Sequence, residues 1–128
     1  MKPIQLGAVG RYEPVPTASD TAGAQGNPGV GVVSTPTMVL FMERTAFAAV
    51  ERHLDPGEAM VGARLTVEHL APAYPGIKVE CVTSLAAIDG RRFTHRFEAT
   101  QEGRLIMRGE LTAVLVDLSR FSAPSRAP

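Results

Sequence analysis

The chain changes period once, and that change limits what it can fold into. From Ser34 to Leu54 the pattern is helical, and from Ala59 onward apolar residues recur at every second position. Thr35 suits a helix N-cap and Pro36 the first helical position, while Asp55-Pro56-Gly57-Glu58 ends the run. These signals predict a helix over 36–54, about five turns long. Small and apolar residues extend round much of its circumference, so it is expected to be largely buried.

Four period-two segments follow. In 59–69, Val61, Ala63, Leu65, Val67 and His69 fall on one face, with Gly62, Arg64, Thr66 and Glu68 on the other. In 77–85, Ile77, Val79, Cys81, Thr83 and Leu85 alternate with Lys78, Glu80, Val82 and Ser84. Asp89-Gly90 is a hairpin signal, after which 92–99 sets Phe93, His95, Phe97 and Ala99 on one face. A turn at 101–104 precedes a long last strand over 105–118. Upstream, one strand is expected around 10–15, with Pro14 and Pro16 pointing to an edge position or an early end. The Gly- and Ala-rich stretch 17–30 reads as a loop or mobile flap. A helix followed by strands on tight turns predicts an α+β domain, an antiparallel sheet packed on one long helix. The expected layout is one domain over 1–121 and a disordered tail over 122–128.

Charge narrows the partners. Lys+Arg and Asp+Glu both count 13, so the formal net charge is zero, which argues against a nucleic-acid binder. Cys81 is the single cysteine, so no intrachain disulfide can form and a reducing compartment is expected. The first residues lack the apolar core of a signal peptide, and no apolar run reaches the ~20 residues of a membrane span. The expected place is the cytoplasm, with no membrane partner.

Within the helix, Glu43 is a carboxylate among apolar neighbours. Val39, Leu40, Ala46 and Phe47 lie three and four positions away, and Arg44 points elsewhere. If that stripe faces the sheet, Glu43 is a partly buried acid in need of a partner. His69 ends the inward face of its strand and can meet Glu43 in one cleft. Thr35 adds a hydroxyl at the helix start, where free N–H groups can hold an oxyanion. An acid, an imidazole, a hydroxyl and amide donors are parts of an acyl-transfer site. Each also has a structural reading: Thr35 as a cap, His69 as a hydrogen-bonded strand residue, Glu43 as a structural or solvent-facing acid. His95 and Cys81 fit the core, and His53 fits the chemistry of a helix end.

The segment from Val32 to Gly76 resembles the fluoroacetyl-CoA thioesterase family, a branch of the hot-dog-fold thioesterases. Its features are the helix start at Thr35, Met42-Glu43-Arg44, Leu54-Asp55-Pro56-Gly57-Glu58 and Val67-Glu68-His69. The likeness continues through Ile88-Asp89-Gly90-Arg91-Arg92 to about Phe121. It implies a hot-dog fold, an antiparallel sheet wrapped around one long central helix. It implies that Thr35, Glu43 and His69 are catalytic, at matching spacings of eight and twenty-six residues. It places Gly62 against the bound acyl group, with Pro36 beside the catalytic threonine and Gly29 nearest the family's gating position. It also implies a homodimer joined sheet edge to sheet edge, with ligand sites near the interface. The expected reaction is hydrolysis of a small acyl-CoA or related thioester, with no metal and no cofactor beyond the CoA of the substrate. Lys78, Arg91 and Arg92 are the candidate cations for CoA phosphates, or else solvated turn charges. Two departures point away from fluoroacetyl selectivity: no phenylalanine lies between Tyr12 and Phe41, and Ala113 stands where the family has an arginine. An enoyl-thioester hydratase or dehydratase, and a non-catalytic module binding an acyl thioester or other small ligand, remain as alternatives.

Overall fold

A computed structural model describes residues 1–121. The tail expected over 122–128 lies outside the described residues. The elements are β1 (Val9–Tyr12), α1 (Thr35–Val50), β2 (Glu58–His69), β3 (Glu80–Asp89), β4 (Arg92–Gln101), β5 (Arg104–Asp117) and a last helical turn, α2 (Leu118–Phe121). The strands form one antiparallel sheet in the order β1-β3-β4-β5-β2. Helix α1 packs against every strand. This is the α+β arrangement the resemblance implies, with one central helix held by one sheet.

Helix α1 buries Met38, Phe41, Met42 and Ala46 in one core with Phe97, Ile106 and Met107 of the sheet, and sets Thr45 and Ala49 against β1. Its approach to β1 is close: a Cβ built on Gly10 would stand 2.1 Å from the Thr45 carbonyl oxygen, so no side chain fits there. The helix begins one residue earlier than expected. Ser34 is the N-cap, its Oγ accepting the Thr37 N–H at 3.1 Å, and Thr35 is the first helical residue. The α-helix ends at Val50, and a 3₁₀ turn carries the chain on through His53, whose Nδ1 lies 2.9 Å from the Pro3 carbonyl oxygen.

Strand β2 departs from strict alternation. Gly62 pairs with Ala113 and Arg64 with Thr112, which leaves Ala63 unpaired in a β-bulge. One inserted residue exchanges the two faces. The residues facing the helix are therefore Met60 and Gly62 before the bulge and Leu65, Val67 and His69 after it. The expected inward placement of Val61 and Ala63 is thereby corrected, as is the outward placement of Gly62.

The stretch 17–33 is folded onto the helix start, not left as a bare connector. It holds two 3₁₀ turns, Ala18–Asp20 and Gly23–Gln25, and a bridge from Thr21 to Val33. The Gln25 amide donates to Thr37 Oγ1 at 2.9 Å and accepts from Ser34 Oγ. Beyond β2, the buried Gln101 clamps the next segment through the Tyr74 N–H, the Tyr74 carbonyl and the Ile77 carbonyl, each at 2.9 Å. The Val33 N–H donates to the Ala73 carbonyl at 2.8 Å. These bonds draw the end of β2 towards the start of α1. Among the described residues, no helix is long and apolar enough to cross a membrane.

Candidate active site

Because Ser34 caps the helix, the Thr35 side chain is left free to reach sideways. Its Oγ1 lies 2.8 Å from His69 Nδ1. The His69 Nε2 is buried and has no hydrogen-bond partner among the described residues. Burial pushes His69 below its ordinary pKa, with a backbone contact to Ala71 acting against the shift, so the neutral ring is favoured. A neutral imidazole carries one donor and one acceptor nitrogen, which suits it to relay a proton between a hydroxyl and a second group.

Fewer amide donors surround this hydroxyl than expected. Pro36 has no N–H, the Thr37 N–H goes to Ser34 Oγ, and the Met38 N–H goes to the Ser34 carbonyl. Of the first four helical positions, only the Thr35 N–H makes no bond to another described residue. One amide and one hydroxyl can thus converge on an oxyanion at this corner.

Glu43 lies elsewhere on the same helix. A Cβ on Gly62 would stand 2.8 Å from Glu43 Oε2, so the bare glycine is what admits the carboxylate. Within one chain Glu43 does not reach His69. Two turns separate Glu43 from Thr35, about 12 Å of helix. Six paired steps of β2 separate Gly62 from His69, roughly 20 Å of strand. Glu43 is also exposed in the single chain, contrary to the expectation of partial burial. The buried face of α1 turns Ala46 inward, but Leu40 and Phe47 on the same flank remain 46% and 44% exposed. Leu65 on β2 is 41% exposed, and among the described residues β2 pairs with β5 alone. The acid thus stands on an uncovered apolar flank next to an open sheet edge.

Behind Glu43 lies a cavity of ≈ 40 Å³ walled by Ala46, Val50, Met60, Leu111 and Ala113, with His95 as its other polar group. Alternation alone places His95 in the core, and it is buried there. The signal that it also faces a cavity is absent from the sequence.

The remaining candidates divide by position. Pro36 is exposed beside Thr35, and Gly29 sits in the exposed part of the 17–33 loop with φ of 85°. Lys78 Nζ pairs with Glu13 at 2.9 Å and with Glu80 at 3.6 Å, at the sheet edge opposite β2. Its charge is already met by two acids, which removes the argument for it as a phosphate ligand. The Arg91 guanidinium donates to the Leu115 carbonyl at 2.8 Å, and Arg92 is in register with Val114, which faces Val61. Those two cations therefore lie at the Gly62 end of the sheet. Cys81 is buried in the core, which pushes its thiol up to about 12 and leaves it unreactive. Among the described residues, no group of three or more His, Cys, Asp or Glu could hold a metal ion.

The family described as fluoroacetyl-CoA-specific thioesterase matches residues 16–119. The fluoroacetyl-CoA thioesterase of Streptantibioticus cattleyicolor is 32% identical over 95 residues, 74% of this chain and 68% of its own. Among solved structures, a thioesterase-superfamily protein of Thermus thermophilus superposes with a TM-score of 0.88 at 31% identity, covering 95% of this chain and 90% of that one. A fluoroacetyl-CoA thioesterase superposes at 0.87 with 25% identity, covering 94% of each chain.

Proposed function

The chain belongs to the fluoroacetyl-CoA-specific thioesterase family, and on that premise we propose that it hydrolyses a short acyl-CoA with Thr35, Glu43 and His69 as its catalytic groups. Water adds to the thioester carbonyl, the C–S bond breaks, and the products are a carboxylic acid and free CoA. The Glu43 carboxylate supplies the nucleophile, by taking a proton from water or by attacking the carbonyl itself. The Thr35 hydroxyl and N–H hold the developing oxyanion, and His69 orients that hydroxyl.

The observation that carries this reading is the seating of Glu43 on Gly62 at an open sheet edge. We propose a homodimer in which two β2 edges pair antiparallel, so the Gly62 end of one chain runs towards the His69 end of the other. The partner's Glu43 then faces Thr35 and His69, and Leu40, Phe47 and Leu65 are covered. Each active site is composite, and burial of the acid comes with assembly. We further propose that the protein works as a single domain in the cytoplasm, consistent with its one reduced thiol.

The 17–33 loop carries no aromatic residue over the site, so fluoroacetyl-CoA is not expected to be singled out. The test is a panel of acyl-CoAs from acetyl to aromatic, scored by thiol appearance. Thiol release lost in Glu43→Gln supports the assignment. Release undiminished in that variant, or absent with every acyl-CoA, refutes it; a hydratase or a binding module would release none.

A further inference from the structure

Glu43 and His95 are the two polar side chains lining this cavity, and His95 has no part in the chemistry above. It is 1% exposed, and its Nδ1 is buried with no hydrogen-bond partner among the described residues. It projects from β4 between Leu85 and Leu111, its register partners, into a cavity whose walls are otherwise apolar apart from Glu43. Burial holds the ring well below its ordinary pKa, at about 4, so it is neutral near pH 7. A neutral ring with an unused nitrogen is costly in such a place unless something pairs with it. Leucine or phenylalanine would fill the position without that cost.

Within the thioesterase reading, on which this inference rests, an acyl group whose carbonyl is presented to Glu43 sends its tail into this cavity. At ≈ 40 Å³ it has room for about three water-sized groups, so only a short tail fits. We propose that His95 is a specificity residue that hydrogen-bonds a hydroxyl carried on the end of a short acyl chain. A hydroxyl can donate to the imidazole or accept from it, so either neutral tautomer serves. A site built to pair with such a group discriminates against the analogue lacking it, because the analogue covers the imidazole without pairing it.

The test compares kcat/KM for 3-hydroxypropanoyl-CoA and butanoyl-CoA, in which a methyl replaces the hydroxyl. The expected preference of the wild type for the hydroxylated substrate is about tenfold or more. In His95→Leu the preference falls to one or below, and in His95→Gln, which keeps a hydrogen-bonding group, it is largely kept. A second readout needs no variant: in wild-type protein labelled with ¹⁵N-histidine, 3-hydroxypropanoate shifts the His95 ring nitrogens and butanoate does not. A wild-type ratio near one, an unchanged ratio in His95→Leu, or equal shifts with both acids overturns the proposal while leaving the thioesterase reading intact. Absence of thiol release from every acyl-CoA overturns that reading itself, and this proposal with it.

Discussion

The Thr35 hydroxyl lies 2.8 Å from the His69 ring, joining the first residue of the helix to the last residue of β2. The contact exists because Ser34 takes over capping and leaves the threonine free. Thr35→Val keeps the shape and removes the hydroxyl. Loss of one oxyanion donor costs about 3 kcal/mol of transition-state stabilisation, or roughly a hundredfold in kcat. Thr35→Ser should retain most of the activity. Steady-state kinetics with equal far-ultraviolet circular dichroism for all three proteins checks this.

Gly62→Ala tests the seat of the acid. The added methyl would stand 2.8 Å from Glu43 Oε2, and the flexible carboxylate is what must yield. Stability should change by less than about 1 kcal/mol, while kcat falls by tenfold or more as the carboxylate leaves its position. A fall in stability without loss of kcat would place Gly62 outside the site.

The His69 ring should titrate below pH 6.5, because burial disfavours its charged form. The neutral ring therefore persists above the lowered value, and protonation removes it only as pH falls further. An NMR titration of His69 alongside kcat/KM against pH should show both declining together on the acid side of 6.5. The partner's Glu43 carboxylate would raise the value in the proposed dimer, so burial is isolated in Glu43→Gln, where titration above 6.5 contradicts the burial described for this ring.

His95 makes a separate contribution to stability. Its folded pKa is about 4 and its ordinary value is 6.5. Between those values the unfolded chain binds the proton and the folded chain does not, so stability falls as pH drops through the window. The full effect is about 3 kcal/mol, reached near pH 4. Urea midpoints from pH 7 to 4 should fall more steeply in the wild type than in His95→Gln.

Much of the fold was legible because long periodic runs identify their own elements. Helix α1 and the Asp89-Gly90 hairpin follow from spacing and turn chemistry, and the inward set Phe93, His95, Phe97 and Ala99 is buried as alternation predicts. Strict alternation misplaces the faces of β2 ahead of its bulge, at Val61, Gly62 and Ala63, since an inserted residue such as Ala63 leaves no mark on composition. Continuing the β4 alternation by one step would have flagged Gln101 as a buried amide. The surroundings of Glu43 were legible as apolar, but not their exposure. Neighbours three and four residues away show that a flank is greasy; they do not show whether a sheet or a second chain covers it. The cap was ambiguous for a related reason, as Ser34 and Thr35 are both good acceptors and only the fold chooses between them.

The central claim is that each active site takes Thr35 and His69 from one chain and Glu43 from the other. Two variants, Glu43→Gln and His69→Gln, should each be inactive alone. After unfolding and refolding together in equal amounts, half of the dimers are mixed, and each mixed dimer contains one intact composite site. Thiol release should then return to about a quarter of the wild-type rate per dimer. A mixture that forms mixed dimers yet stays as inactive as its parents would contradict the account.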